Sequence, residues 1–194
     1  ILSLPLIINK LGWKKSVRFY SITGGVFVIL FLPFFSFEFL ENYSATIGLW
    51  FSNFEFNASI YYFLKWVLVE VKGLNIINNM GAVVATFVMI QTIFQLLHKK
   101  KETKALLLMI FWVLCGYYFI STTIHPWYIT SLLMLSVFTK YKFITLWSYT
   151  IICSYFAYGE LEIKESGFWL SLEYIPVIVM LVWELYSRKK LKHH

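Results

Sequence analysis

Two short segments of the chain carry side chains that are suited to chemistry. In the first, Glu55 lies between Phe54 and Phe56, and a carboxylate flanked by apolar rings is suited to acid–base catalysis. In the second, His125 directly precedes Pro126, which favours the first turn of a helix. A helix N-terminus beside a histidine is suited to bind an anion such as phosphate. Each position also has a structural alternative, a solvated loop charge for Glu55 and a packing histidine for His125.

The composition indicates that both segments belong to a membrane protein. Of 194 residues, 59% are hydrophobic and only 14% are charged, and the mean hydropathy is +0.69. A soluble domain carries about 25% charged residues. The polar surface is too small to coat a water-soluble globule, which excludes a soluble enzyme and a disordered tail. The basic charges lie at the ends of apolar runs rather than along one face, so no nucleic-acid partner is expected.

The apolar runs predict the membrane-spanning helices. A spanning helix needs about 20 apolar residues, and helices are required because the bilayer core holds no water for exposed backbone groups. The sequence therefore predicts an all-α, polytopic integral membrane protein with about six transmembrane helices. The predicted spans are residues 17–36, 76–97, 105–121, 126–138, 143–158 and 172–187.

The distribution of lysine and arginine predicts the orientation of these spans. Basic clusters centred on Lys14, Lys100, Lys140 and Arg188 fall on alternate connections. Connections rich in lysine and arginine remain in the cytoplasm. Six spans satisfy this alternation and place Glu55 and His125 together on the opposite, outer face.

One long outer connection, residues 37–75, is predicted to contain interfacial helices. It is too polar for an easy span and too aromatic for a free loop. Four of its apolar residues share one helical face and suit the boundary between headgroups and acyl chains: Ile47, Trp50, Phe51 and Phe54. A second helix is predicted over residues 54–71, with Asn57 or Ser59 as its cap, followed by a loop over residues 73–79.

The inventory of reactive residues restricts the mechanism. All ten acidic residues are glutamate, so no aspartate is present as a base, nucleophile or metal ligand. Cys115 and Cys153 both fall within apolar runs and are predicted to be core residues. Four scattered histidines form no recognisable ligand set, so neither a metal nor another cofactor is predicted.

The two segments resemble a known enzyme family. Residues 51–67 (FSNFEFNASIYYFLKWV) and 122–138 (TTIHPWYITSLLMLSVF) are similar to the C-terminal half of bacterial GT-C glycosyltransferases of the mannosyltransferase type. The matching features are an F-N-x-x-x-Y stretch after an outer loop and an H-P-W-Y that opens a later span. The resemblance implies that residues 1–194 form a single membrane domain, the C-terminal part of a longer chain.

The resemblance also implies an activity and a set of site residues. A hexose, expected to be mannose, would move from a polyprenyl-phosphate donor to a glycan or lipid acceptor at the extracytoplasmic face of the bacterial inner membrane. Six matched residues would bind substrate, with His125 and Tyr128 near the lipid phosphate: Glu55, Asn57, Tyr61, His125, Trp127 and Tyr128. Because the first outer loop of the family usually supplies the catalytic base, the catalytic carboxylate is expected upstream of Ile1.

Two other functions fit the same composition. A transporter or flippase-like protein for lipid-linked saccharides would use the same outer pocket without making a bond, and a noncatalytic membrane subunit would need no aspartate. Transporters usually carry charges or broken helices near the membrane midplane. The charges predicted at span ends therefore favour the transferase.

Overall fold

A computed structural model describes residues 4–52, 54–70, 77–97, 102–158 and 165–191. Within these residues the structure is helical, and its one strand-like feature is an isolated bridge between Phe56 and Thr123. The all-α prediction is confirmed. The α-helices are α1 (Leu4–Leu11), α2 (Trp13–Phe31), α3 (Phe37–Ser52), α4 (Ile60–Lys65), α5 (Ile77–Leu97), α6 (Thr103–Ile120), α7 (Ile129–Ser136), α8 (Phe143–Thr150) and α9 (Gly167–Leu191). Short 3₁₀ turns cover Leu32–Phe34, Pro126–Tyr128 and Ile151–Ala157, and a π-helical turn covers Trp66–Glu70.

Three helical segments are long and apolar enough to cross a membrane, namely Trp13–Phe34, Thr103–Ile120 and Gly167–Lys190. Shorter apolar helices cover Ala82–Phe94 and Phe143–Ala157. These helices support the predicted membrane protein, while the number of six spans stays a prediction. Helices α7 and α8 have 8 residues each, or about 12 Å of α-helix against about 30 Å of hydrocarbon.

The chain divides into two compact units. The first contains α1, α2, α3, α5 and the part of α6 that ends at Val113. In it, α1 packs against α2 and α5, and α3 packs against α5. Gly12 separates α1 from α2 with φ of 77°, a backbone conformation that costs glycine little. The apolar side chains of α2 are exposed, including Ile29 at 66%, as expected for a helix that faces lipid.

Two predictions made from the sequence for the outer connection concern residues of this first unit. Residues 37–52 form α3, but the side chains of Trp50 and Phe51 lie outside the described part, so the interfacial face stays a prediction. The predicted loop over residues 73–79 extends too far, because α5 already begins at Ile77. Asn78 and Asn79 lie in the first turn of α5, where backbone N–H groups have no intrahelical partner.

The second unit contains α4, the π-helical turn after it, α6 from Leu114, and α7 to α9. Helix α9 packs against α8 and against the 3₁₀ turn Ile151–Ala157, and α7 packs against α8. Its fully buried side chains include Trp147, Ile144 and Leu132. This unit holds both segments that the sequence singled out.

The start of α4 corrects the predicted cap. Ser59 occupies the position before the first helical residue, but its side chain makes no capping hydrogen bond. Its hydroxyl donates to the carbonyl of Phe119 at 3.1 Å instead. Asn57 lies two residues earlier in the left-handed region, with φ of 51°. Both polar side chains therefore tie the segment to the rest of the unit.

The start of α8 is held by a carboxylate from α9. The backbone N–H of Lys142 donates to Glu184 at 2.8 Å, and that of Phe143 donates to it at 3.3 Å. The sequence alone predicts an ion pair between Glu184 and Arg188, which lies four residues further along the helix. In the structure, the guanidinium of Arg188 instead lies 3.7 Å from the centre of the Tyr141 ring. A carboxylate at a helix N-terminus satisfies donors that the helix itself leaves without partners.

We expect Glu184→Ala to lower the free energy of unfolding by about 2–3 kcal/mol, because the buried N–H of Phe143 and the part-buried N–H of Lys142 lose their acceptor. Glu184→Gln keeps one acceptor oxygen and should lose about half as much. Unfolding in detergent micelles, followed by circular dichroism, measures both. If Glu184 acted only through Arg188, then Arg188→Ala would cost as much as Glu184→Ala.

Candidate functional site

A short parallel bridge joins the two sequence segments. The N–H of Phe56 donates to the carbonyl of Thr122 at 3.0 Å, and the N–H of Ile124 donates to the carbonyl of Phe56 at 2.8 Å. Phe56 and Ile124 are fully buried. The bridge satisfies buried backbone groups that no helix can satisfy here. It brings Asn57 and His125 into one site although 68 residues of sequence separate them.

His125 lies in a stack of aromatic rings. Its ring centre is 5.1 Å from that of Phe56 and 4.5 Å from that of Trp127, and the latter pair is within 5° of parallel. Tyr128 meets it edge-on at 5.4 Å. Burial lowers the pKa of His125, because desolvation disfavours the charged imidazolium. At neutral pH the group is thus a neutral imidazole beside an exposed indole, since Trp127 is 58% exposed.

The turn after His125 leads directly into α7, so a helical segment does start at Pro126 as the sequence predicts. Pro126 does occupy a first-turn position, as its missing N–H allows. The turn Pro126–Tyr128 is a 3₁₀ turn of three residues, closed by the N–H of Tyr128 donating to the carbonyl of His125 at 2.9 Å. Because the turn continues directly into α7, its first N–H groups stand at the start of a longer helical segment.

Glu55 is held by an ion pair and a phenol. The ammonium of Lys65 lies 2.7 Å and 2.8 Å from its two carboxylate oxygens, and the hydroxyl of Tyr61 donates to it at 2.7 Å. Tyr61 is fully buried, and its pKa is raised by that burial and by the neighbouring carboxylate. These contacts fix α4 onto the segment before it. They favour the structural role of Glu55 over acid–base chemistry.

Asn57 is the centre of a buried hydrogen-bond network. Its backbone N–H donates to Glu165 Oε1, and its carbonyl accepts from the hydroxyl of Tyr174 at 2.6 Å. Its side-chain Nδ2 donates to Glu173 Oε1 at 3.0 Å. Asparagine is one of the few residues that adopt the left-handed conformation at modest cost. Asn57 is fully buried, so its first role is to organise the site.

Two carboxylates complete this network, and sequence reasoning missed both. Glu173 accepts from Trp147 Nε1 at 2.9 Å as well as from Asn57, and it is fully buried. Glu165 accepts from the hydroxyl of Tyr62, whose pKa is raised by burial and then by that carboxylate. We call Asn57, Tyr62, Glu165 and Glu173 the Asn57 cluster.

A signal for Glu173 is present in the sequence. An ionisable residue inside a membrane span is a candidate functional group by default. The span predicted from the sequence starts at residue 172, so that prediction places Glu173 at the end of the span rather than inside it. Helix α9 starts at Gly167 instead, which places Glu173 on the seventh residue of the helix. No comparable signal marks Glu165, which follows six residues outside the described part.

The space beside the Asn57 cluster is small. A cleft lined by Asn57, Glu165, Ser154, Ser166 and Trp169, among others, has a volume of about 10 Å³. That is room for about one water molecule and far less than a sugar ring needs. Within the described residues, no group of three or more His, Cys, Asp or Glu side chains is arranged to hold a metal ion.

The site therefore has two neighbouring parts within one unit, an aromatic stack at His125 and the buried Asn57 cluster. No family model matches this sequence, and no curated protein or solved structure matches it.

Proposed function

We propose that this protein is a membrane glycosyltransferase that transfers a hexose, with mannose the expected sugar, from a polyprenyl-phosphate donor to a glycan or lipid acceptor. The proposal extends the resemblance of its two segments to GT-C glycosyltransferases. It assigns substrate binding to the aromatic stack and its surroundings. It places the site at the extracytoplasmic face of the bacterial inner membrane, as the pattern of basic connections predicts.

The observation that carries the proposal is the bridge between Phe56 and Thr123. The two segments resemble the same family independently, and a shared site requires them to be adjacent. The hydrogen bonds at 3.0 Å and 2.8 Å make them adjacent within one compact unit.

The aromatic stack supports a sugar-phosphate ligand. Trp127 presents an exposed ring, supported from behind by the parallel ring of His125. Sugar rings stack on such exposed aromatic faces through their C–H groups. His125 and Tyr128 offer an imidazole and a phenol beside it as hydrogen-bond donors for a phosphate. A polyprenyl chain would remain in the bilayer, and its phosphate would lie at the interface.

The test is sugar transfer by the intact protein in membrane vesicles, using a radiolabelled polyprenyl-phosphate hexose. We expect His125→Ala to reduce transfer by at least about 100-fold, which is the scale of losing one preorganised donor at a reacting centre. Membrane insertion should be unchanged, because His125 lies outside the three helical segments that are long and apolar enough to span a membrane. The matched control is Trp66→Ala, which removes an aromatic ring that is 54% exposed elsewhere in the same unit.

Wild-type rates in the His125→Ala variant would remove His125 from the site. If wild-type vesicles transfer no hexose from any polyprenyl-phosphate donor, the transferase proposal is wrong.

One observation favours a second function, transport of a lipid-linked saccharide. Glu173 is a fully buried acid inside a candidate span, the feature that transporters use for coupling ions. Movement of labelled lipid-linked saccharide across a sealed vesicle, without any new glycosidic bond, would support the transporter over the transferase.

A further inference from the structure

Asn57 and Glu173 form a side-chain pair that lacks one donor. Asn57 Nδ2 donates to Glu173 Oε1 at 3.0 Å, and Trp147 Nε1 donates to the same oxygen at 2.9 Å. The amide oxygen of Asn57 (Oδ1) and the second carboxylate oxygen of Glu173 (Oε2) are buried and have no hydrogen-bond partner among the described residues. Both residues are 0% exposed. An amide and a carboxyl group thus face each other with one bond made and two acceptors left over.

The charges around the pair make this arrangement costly if Glu173 is ionised. A buried carboxylate needs a partner of opposite charge, or it becomes neutral. The titratable groups that interact with it are the carboxylate of Glu165, the phenol of Tyr174 and the thiol of Cys153 on the packed 3₁₀ turn. Each of these is neutral or negative. The ion pair found among the described residues joins Lys65 to Glu55, so it does not neutralise Glu173.

A single proton resolves both problems. A carboxyl group that carries a proton has one O–H donor and keeps one acceptor oxygen, while a primary amide has the complementary donor and acceptor. The two groups then form a ring with two hydrogen bonds. One of those bonds, Nδ2 to Oε1, is already present.

We infer that Glu173 and Asn57 form a proton-binding site, in which a proton on Glu173 Oε2 is donated to Asn57 Oδ1. The proton is taken from water, and no other bond changes. When the proton is bound, the carboxyl group of Glu173 is neutral. Trp147 Nε1 and Asn57 Nδ2 then donate to its carbonyl oxygen, Oε1. This inference is independent of whether the protein transfers sugar.

The nearby cleft offers a route for the proton. Asn57 and Glu165 line it, together with Ser166, which is exposed. Its volume of about 10 Å³ holds about one water molecule. One such water would connect the buried pair to the partly exposed carboxylate of Glu165.

At neutral pH the folded protein then keeps a proton that the unfolded chain has already released, since an ordinary glutamate has a pKa of about 4.3. Stability must fall as the pH is raised, because the unfolded state binds fewer protons than the folded state. The midpoint temperature of unfolding should therefore decrease from acidic toward alkaline pH. Glu173→Gln supplies the donor permanently, and its midpoint should lose this pH dependence.

Infrared difference spectroscopy of the intact protein at neutral pH provides the direct test. We expect a carbonyl band of a protonated carboxylic acid that shifts in deuterated water and disappears in Glu173→Gln. The matched control is Glu184→Gln, also on α9, because both oxygens of Glu184 already accept backbone N–H groups. That variant should keep the band.

Absence of the acid band in the wild type, or its persistence in Glu173→Gln, would overturn the inference. A third result would overturn it in favour of a small cation. In that case the wild type lacks the band, and added Na⁺ raises its unfolding midpoint but not that of Glu173→Gln. The wild-type spectrum decides whether a protonated acid is present, and the spectrum of folded Glu173→Gln, compared with that of Glu184→Gln, assigns the band to Glu173.

Discussion

Replacing Asn57 with alanine is expected to lower the free energy of unfolding by about 2–5 kcal/mol, although the side chain is small. The substitution removes the donor to Glu173 and leaves that buried acid with one donor fewer, at about 1–3 kcal/mol. It also replaces asparagine, which tolerates the left-handed region, with alanine at φ of 51°, a conformation that costs alanine about 1–2 kcal/mol. Unfolding in detergent micelles, monitored by tryptophan fluorescence, measures the sum.

Asn57→Gly separates these two contributions. Glycine loses the same side-chain hydrogen bond but adopts the backbone conformation freely, so it should be more stable than alanine by about 1–2 kcal/mol. Equal stabilities of the two variants would show that the backbone at this position is not constrained as described. Wild-type stability in both would show that the Asn57 cluster does not hold the unit together.

The second large effect is expected for Trp147→Ala, with a loss of about 3–5 kcal/mol. Trp147 is fully buried, its ring stacks on Phe119 at 4.7 Å, and it meets Tyr174 edge-on at 5.7 Å. It also donates to Glu173 at 2.9 Å. Alanine removes the packing and the hydrogen bond together and leaves a cavity between α8 and α9.

Trp147→Phe distinguishes packing from hydrogen bonding. Phenylalanine keeps an aromatic ring beside Phe119 but has no N–H, so we expect a loss of about 1–3 kcal/mol. The external control is Trp183→Ala, since Trp183 is 61% exposed on α9, and it should change stability by less than about 0.5 kcal/mol. A Trp147→Phe variant as unstable as Trp147→Ala would mean that the indole N–H, and not the stacking, dominates.

The polar groups of the candidate site are buried in an apolar unit, so each unmade hydrogen bond there costs more free energy than a hydrogen bond at the surface contributes. The same burial that makes Asn57 and Trp147 structurally important makes Glu173 a place where a proton is held. In this unit, stability and proton binding depend on the same few atoms.

The fold class was predictable because it depends on composition. A chain that is 59% hydrophobic and 14% charged leaves helices in lipid as the available solution. The end of α5 and, to within one residue, the end of α6 also follow from apolar runs. The span pattern is less well determined where the runs are short: α7 and α8 have eight residues each, and their length depends on the turns beside them.

The candidate site was predictable only in part. The motif residues Asn57 and His125 were identified from local sequence, and the structure brings their segments together through Phe56. The role of Asn57 was not predictable, because its partners Glu165 and Glu173 are more than 100 residues away. Glu184 shows the same limit, since a partner four residues along the helix is visible in sequence, whereas the backbone of Lys142 is not.

The sequence by itself determined the solvent of this protein and the helices that this solvent requires, because transfer of apolar residues into lipid is a sum over local composition. It also marked Glu55, Asn57 and His125 as unusual within apolar surroundings. Only the tertiary structure decided which polar groups satisfy one another. Glu55 is matched with Lys65, Asn57 with two distant acids, and His125 with aromatic rings. Such pairings depend on short distances between segments far apart in the chain, and a hydrogen bond is lost within an ångström or so of displacement.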